Sequence, residues 1–197
     1  MPRESTGSGS RSSETLHALR VELLDIDPPI YRDILVRSGA TLETLHEVLL
    51  TCFEWSGEHM HRFTAGKRQF MSVEVGPERD VEDEARVELR DVLPRVSSKL
   101  HYEYDFGDSW LVLVRTTEIR KVEPGGPRVR TATLVDGARA SPPEDCGGVG
   151  GYEGICAATS DPNYPGRDDI LEWFGDTPFD AEAFPKDEIR RILHGIR

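Results

Sequence analysis

The sequence predicts an α+β fold, a largely antiparallel β-sheet with an amphipathic helix in the N-terminal half and C-terminal helices packed on it. Three observations predict this class. Strand-like segments follow one another up to Leu134 with few helices between them. One clear amphipathic helix interrupts them after Thr41, and helical patterns replace strands after Cys146. Strands that are neighbours in sequence usually pair with each other, which favours an antiparallel sheet.

The first two strands are expected within residues 16–26 and 30–36, separated by Pro28-Pro29. Thr41 is a suitable N-cap for the helix that follows, because its hydroxyl can accept a hydrogen bond from a free backbone N–H of the first turn. The apolar residues of this helix recur at helical spacing, which predicts one buried face. They are Leu42, Leu45, Val48, Leu49, Cys52 and Phe53.

Two hairpins are predicted next. Residues 59–63 and 69–73 flank the turn 65–67, and residues 100–106 and 110–117 flank Gly107-Asp108, where glycine would supply a positive φ. That turn would place Glu103 opposite Val112. The apolar run 110–114 predicts a central strand that is covered on both faces.

The remaining elements are less regular. The acidic residues 74–91 predict a loop with at most a short element around Val87 and Leu89. A weaker strand is expected over residues 129–134. Three helices are expected over residues 152–158, 168–174 and 185–194, the last with Ile189, Ile192 and Leu193 as its buried stripe.

Length and composition are those of a globular protein. The 197 residues are 37% hydrophobic and 30% charged, which predicts one domain over residues 16–197 after a flexible leader, residues 1–15. No apolar run approaches the roughly 20 residues that span a bilayer, so no membrane association is expected. Cys52, Cys146 and Cys156 cannot complete a set of internal disulfides, which favours reduced thiols and a cytoplasmic location.

The net charge of −12 argues against non-specific binding to nucleic acid, which requires Lys and Arg to neutralise phosphates. Arg20, Arg32 and Arg37 could form a local basic face. Scattered charges of this kind are more typical of solvated strand edges, which is the interpretation we favour.

Several polar residues could carry chemistry. Strand alternation places His101, Glu103 and Asp105 on one face, where they could bind a metal or act as an acid/base pair, although any solvent-facing strand shows the same pattern. His59 and His61 are two residues apart, so in a strand they would point the same way and could chelate a divalent metal.

Glu144-Asp145-Cys146 precedes a run of glycines that opens a helix. Two carboxylates and no lysine argue against a phosphate cradle, and a tight structural turn is the better interpretation. The same acids should raise the pKa of the Cys146 thiol, which argues against a catalytic cysteine.

Four segments, taken in order, resemble the plasmid pRiA4b ORF-3-like family, whose members also occur as passenger proteins of bacterial insertion elements. The segments are Pro28 to Arg32; Leu42 to His46 with Trp55 and residues 59–63; residues 102–110; and residues 137–148 with Gly151-Tyr152. The resemblance implies a compact α+β domain carried on mobile or accessory DNA, with no established activity.

The chain departs from the pattern that this family shows. Many members have Trp where this chain has Tyr31, His where it has Val112, and Cys where it has Thr133 and Ser141, so only Cys146 remains of a thiolate set. A metal or acid/base role inferred from the resemblance is correspondingly weaker.

Two hypotheses for function follow. The sequence favours a non-enzymatic module that holds a protein or small-molecule partner on a face around Trp55, Trp110 and Tyr152. The alternative is an enzyme that performs metal-assisted hydrolysis or acid/base chemistry, with a divalent metal as its cofactor. Its candidate residues are His59, His61, Asp105, Asp108, Glu144 and Asp145. The enzyme requires these groups to converge within roughly 10 Å, the scale of an ordinary site.

Overall fold

The computed structural model describes residues 14–73, 80–122, 129–174 and 179–196. The first strand begins at Thr15, so nearly all of the predicted leader lies outside the described residues. Part of the acidic segment 74–91 lies outside them as well.

Within these described residues, eight strands form one sheet, in the order β5-β4-β3-β6-β7-β1-β2-β8. Neighbouring strands pair antiparallel except β4 and β5, which are parallel. This confirms an α+β fold with a largely antiparallel sheet. The strands are β1 (Thr15–Leu23), β2 (Tyr31–Arg37), β3 (His61–Ala65), β4 (Arg68–Met71), β5 (Val81–Asp83), β6 (Lys99–Tyr104), β7 (Trp110–Lys121) and β8 (Ala132–Ala138).

Helix α1 (Leu42–Phe53) matches its prediction closely. The Thr41 hydroxyl accepts a hydrogen bond from the Thr44 backbone N–H at 3.1 Å, which caps the first turn. All six residues of the predicted apolar stripe are buried. The helix ends at Phe53, and its C-cap Glu54 adopts a left-handed backbone conformation with φ of 56°.

The other helices are α2 (Leu89–Val92), α3 (Gly148–Ser160), α4 (Arg167–Phe174) and α5 (Lys186–Leu193), and a 3-10 turn covers Glu84–Arg86. Helix α3 begins four residues before the predicted start, because its first turn consists largely of glycine, a residue that sequence propensity assigns to loops. Helix α5 packs on β8, and the Arg190 guanidinium donates to the carbonyl oxygens of Leu134 and Val135. Ile189 and Leu193 are buried, but Ile192 is 44% exposed, so the predicted stripe is too wide.

Strand β7 lies in the middle of the sheet, but only one of its two faces is buried. Trp110, Val112 and Val114 are buried in the same core as the α1 stripe, whereas Leu111 is 40% exposed. The prediction that both faces are covered is therefore wrong.

The β6–β7 hairpin has a longer loop than predicted. Tyr104 pairs with Trp110 and Tyr102 pairs with Val112, which leaves residues 105–109 as the loop. Asp105 closes it, since its backbone carbonyl accepts from the Ser109 N–H and its side chain accepts from the Gly107 N–H. The predicted pairing of Glu103 with Val112 is wrong by one residue, and Val112 faces the buried side with Tyr102.

Arg32 is fully buried and therefore belongs to no basic face or solvated edge. Its guanidinium donates five hydrogen bonds, four of them to backbone carbonyls and one to the Ser141 hydroxyl. The carbonyls belong to Tyr31, Cys52, Ala138 and Arg139. This one side chain thus joins β2, the end of α1, and the segment that leads from β8 toward Glu144.

Candidate functional site

Three segments that are distant in sequence converge at one end of the sheet. His59 lies just before β3, Asp105 directly after β6, and Asp145 just before α3. The His59 Nδ1 lies 3.6 Å from an Asp105 carboxylate oxygen, and its Nε2 lies 3.4 Å from an Asp145 carboxylate oxygen. The imidazole ring therefore lies between two carboxylates. We call these three residues the His59 cluster.

The His59 cluster has the composition and spacing of a metal site. One ligand atom from each residue lies within 4.8 Å of the others. One ion can bind only one of the two His59 ring nitrogens, so the contacts of 3.6 Å and 3.4 Å, which use different nitrogens, do not themselves describe one ligand set. The burial of the three residues is graded. The Asp105 side chain is 10% exposed, His59 is 27% exposed and Asp145 is 75% exposed, so the cluster opens to solvent on the Asp145 side.

Both aspartates hold an uncommon backbone conformation. Asp105 has φ of 58° and Asp145 has φ of 57°, in the left-handed region that non-glycine residues seldom occupy. Asp and Asn tolerate this region better than other side chains do. These conformations turn the two carboxylates out of the regular path of the chain and toward His59.

A hydrogen-bonded network fixes the segments around the cluster. The Tyr104 hydroxyl donates to Glu144 at 2.5 Å and accepts from the Gly57 backbone N–H. Glu144 also accepts from the backbone N–H and the hydroxyl of Ser56. Burial, followed by the adjacent Glu144, raises the pKa of Tyr104 to about 12, so its hydroxyl stays protonated and donates. Glu144 thus joins the segments that carry His59, Asp105 and Asp145.

Asp108 joins the hairpin loop to α3. Its carboxylate accepts from the Gly147 N–H at 3.1 Å. A Cβ added to Gly148 would lie 2.6 Å from the Asp108 carbonyl oxygen, so only glycine permits this close approach. Asp108 lies outside the His59 cluster and holds the start of α3 against the loop.

His61 does not share a metal-ligand set with His59. Strand β3 begins only at His61, so the strand geometry that would align the two rings is absent. His61 Nε2 bonds the buried Glu84 carboxylate at 2.9 Å, and its ring stacks on that of His46 at 3.5 Å. The prediction of a chelating pair is therefore wrong in its geometry.

His46 joins His61 and Glu84 in a second group of polar side chains. Its Nδ1 lies 2.8 Å from the Tyr102 hydroxyl. Burial, followed by the neighbouring His61, lowers the pKa of His46 to about 3, so its ring is neutral near pH 7. His46, His61 and Glu84 line a cleft of about 530 Å³, and His59 lines the same cleft.

The aromatic candidates lie in the core. Trp55, Trp110 and Tyr152 are 6%, 1% and 2% exposed, and the Trp55 ring stacks on Tyr104 at 4.8 Å. The Trp55 indole N–H donates to the Pro142 carbonyl oxygen. These rings form no exposed face, because all three belong to the buried core.

The row of His101, Glu103 and Asp105 is also not one site. Glu103 pairs with Arg62 at 2.6 Å, and His101 is exposed on the outer side of β6. Asp105 lies beyond the end of the strand and is buried, because its left-handed backbone breaks the alternation.

The pKa of the Cys146 thiol is raised as predicted, but not through the adjacent Glu144 and Asp145. Burial, followed by the Asp108 charge, raises the pKa of the thiol to about 12, so the reactive thiolate is disfavoured. The three cysteines are free thiols.

Comparison with known proteins identifies the family. The plasmid pRiA4b ORF-3-like protein family matches residues 15–188, and the chain belongs to this family. The uncharacterized protein y4hQ of Sinorhizobium fredii (strain NBRC 101917 / NGR234) is 31% identical over 181 residues, which span 90% of each chain.

A solved structure has the same fold. The crystal structure of MM3350, a protein of unknown function from Methanosarcina mazei Go1, matches with a TM-score of 0.78 and 28% identity. The match covers 90% of this chain and 98% of that chain.

None of the helices in the described ranges has the length and apolar composition needed to cross a membrane.

Sequence reasoning missed the groups that organise the site. The roles of Tyr104, Ser56 and Glu84 could not be predicted, because each depends on a hydrogen-bond partner at least 23 positions away in sequence. The only sequence signal near them was the resemblance, which includes Tyr104 within its third segment.

Proposed function

We propose that this protein is a metal-dependent enzyme of the hydrolase type, with a divalent ion held by His59, Asp105 and Asp145. The observation that carries the proposal is the convergence of these three side chains, with ligand atoms within 4.8 Å, from segments more than 35 residues apart in sequence. Two carboxylates and one imidazole are hard and borderline ligands that suit zinc, manganese or iron.

The number of ligands favours catalysis over a purely structural ion. Structural zinc sites usually have four protein ligands, whereas catalytic sites have three and leave a position open for water or substrate. A bound divalent ion lowers the pKa of coordinated water toward 7, which supplies the nucleophile for hydrolysis. The exposed Asp145 side of the cluster gives a substrate access.

The departures from the family pattern leave this cluster complete. Val112 is buried beside Tyr102, and the Ser141 hydroxyl accepts from Arg32. Thr133 pairs with Leu35 in the β2–β8 ladder. None of these positions belongs to the His59 cluster, so the residues that differ there remove no proposed ligand.

The interaction-module hypothesis has less support. It relied on an exposed aromatic face, and the three rings concerned are buried. The remaining argument for the interaction module is that a bound metal ion could take part in binding a partner without catalysing a reaction.

Titration calorimetry on the demetallated protein tests the metal site. We expect one Zn²⁺ or Mn²⁺ per chain, and an affinity at least about 100-fold lower in His59→Ala, since loss of even an outer-shell group commonly weakens binding 10- to 100-fold. His101→Ala, which removes an exposed histidine outside the cluster, is the matched control. Equal affinity in the two variants would contradict the assignment.

Turnover is tested with the metal-loaded protein on p-nitrophenyl phosphate, p-nitrophenyl acetate and related esters. We expect metal-dependent hydrolysis that His59→Ala abolishes and His101→Ala preserves. Stoichiometric metal binding without hydrolysis of any ester in the panel would count against the enzyme and in favour of the interaction module.

A further inference from the structure

An apolar cleft adjoins the proposed metal centre through Asp145. It lies between α3 and α4, has a volume of about 350 Å³, and is lined on its apolar side by Gly154, Ile155, Ile170 and Trp173. Pockets that bind small molecules have volumes of roughly 300–1,000 Å³, so this cleft is large enough for a small ligand. Trp173 is 54% exposed, unlike the two other tryptophans.

Asp145 belongs to both the cleft and the His59 cluster. It lines the cleft together with Cys146, and its carboxylate also lies 3.4 Å from the Nε2 of His59. A ligand that fills the cleft would therefore present one end to the proposed metal. The apolar wall of the cleft and a carboxylate of the proposed metal site therefore share one surface.

The charges of the lining restrict the chemistry of the ligand. Asp145 and Asp169 are the ionisable carboxylates of the lining, which includes no lysine or arginine. Without a cation this end of the cleft repels anions. A divalent ion bound by the cluster would neutralise the carboxylates of Asp105 and Asp145. The same ion would act as a Lewis acid that an oxygen-rich head group could coordinate.

Close backbone packing fixes the α3 side of the cleft relative to the cluster. A Cβ on Gly151, which lines the cleft, would lie 1.7 Å from the Cys146 carbonyl oxygen, and the Gly147 N–H is bonded to Asp108. The start of α3 is therefore tied to the residues that precede it and to the β6–β7 hairpin loop. The α3 wall of the cleft is thus held beside the cluster, which limits the entropy that this wall loses on binding.

We propose that this cleft binds the apolar part of a small substrate whose oxygen-rich head coordinates the metal held by the His59 cluster. The inference rests on the proposed function and specifies its substrate class. That class consists of small molecules with one aromatic or short aliphatic group directly attached to the hydrolysable group.

The test compares two hydroxamates on the zinc-loaded protein by calorimetry. Benzohydroxamate carries an aromatic group and acetohydroxamate carries only a methyl group, while both coordinate zinc through the same two oxygens. We expect benzohydroxamate to bind at least about 10-fold more tightly, because its aromatic ring would be removed from water in the cleft and the methyl group of acetohydroxamate is too small to fill it. Its binding should also change the fluorescence of Trp173, and this change should be absent in Trp173→Phe.

Two variants on one helix locate the binding. Gly154→Leu fills the cleft, and its Cβ would meet only the Tyr164 hydroxyl at 3.5 Å, an ordinary contact. Gly150→Leu places the same side chain on α3 where the added Cβ has nothing within 4 Å, outside the cleft lining. Gly154→Leu should remove the preference for benzohydroxamate and leave zinc affinity unchanged, while Gly150→Leu should change neither.

The outcomes separate this inference from the proposed function. If zinc does not bind the wild-type protein, the metal site fails and the inference fails with it. If zinc binds but the two hydroxamates bind equally, or Gly154→Leu keeps the preference, only the cleft inference is overturned.

Discussion

At the scale of single residues, the His59 cluster shows how a few uncommon conformations define a site. Asp105 and Asp145 both occupy left-handed backbone, and each directs a carboxylate to the same imidazole. Because backbone strain of this kind persists only when surrounding contacts enforce it, the Tyr104–Glu144 network is a necessary part of the site.

The exposed Asp145 offers a clean test of ligation. We expect Asp145→Asn to lower zinc affinity at least about 10-fold, because a neutral amide is a far weaker ligand than a carboxylate, while asparagine retains the left-handed backbone. Asp25→Asn is the matched control, since Asp25 is also exposed and has φ of 61°. Titration calorimetry measures both, and a similar loss in the two variants would indicate a general charge effect instead of ligation.

His46 should make stability depend on pH. Its pKa falls to about 3 in the folded protein through burial and the adjacent His61, against 6.5 in the unfolded chain. Between these values the unfolded chain binds a proton that the folded protein does not, so stability rises with pH. The contribution is complete above about pH 6.5 and is lost as the pH falls toward 3.

Urea denaturation at pH 7 and pH 5 measures this effect. We expect the wild type to lose about 2 kcal/mol more than His46→Gln over this interval, because the unfolded ring takes up most of its proton within it. His101→Gln, at an exposed histidine, should retain the wild-type dependence. An unchanged pH dependence in His46→Gln would contradict the account of a buried neutral ring.

Arg32 should be irreplaceable by lysine. Its five hydrogen bonds use every N–H of a planar guanidinium, and an ammonium has only three donors on one nitrogen. We expect Arg32→Lys to lower the free energy of unfolding by about 3 kcal/mol, since buried carbonyls lose their partners. Arg20→Lys, in a part-exposed pair with Asp33, should cost less than about 1 kcal/mol. Equal costs in urea denaturation would contradict the role given to Arg32.

At the scale of secondary-structure elements, the β6–β7 hairpin shows what local sequence can and cannot predict. The two strands and the position of the bend follow from alternation and from Gly107. The register does not, because the loop is closed by Asp105, through its side chain to Gly107 N–H and its carbonyl to Ser109 N–H. A difference of this kind shifts every pairing by one residue, which is why Val112 faces Tyr102.

The start of α3 depends on a glycine that no other residue can replace. A Cβ at Gly151 would lie 1.7 Å from the Cys146 carbonyl oxygen, so Gly151→Ala forces the backbone apart and should destabilise the protein by about 3 kcal/mol. Gly150→Ala has open space around it and should stabilise by about 0.5–1 kcal/mol through higher helix propensity. Urea denaturation distinguishes the two, and loss of similar size in both would contradict the close-packing argument.

At the scale of the whole molecule, long-range contacts determine the site. The sequence alone identified the α+β class, helix α1 and each member of the His59 cluster as a candidate. The sequence does not predict that His59 contacts Asp105 and Asp145, or that His61 contacts Glu84. Those contacts depend on the order of strands in the sheet and on loops that lie up to 86 positions apart in sequence. The burial of Trp55 and Trp110 also follows only from assembly of the core.

Anomalous diffraction from crystals of the full chain soaked in zinc tests the central claim most directly. The metal-site account predicts one strong peak at about 2.0–2.2 Å from a His59 ring nitrogen and from one carboxylate oxygen each of Asp105 and Asp145. Such a peak should disappear in His59→Ala crystals and persist in His101→Ala crystals. An empty cluster with zinc bound elsewhere, or a His59 ring that still bridges the two carboxylates with no ion, would contradict the account.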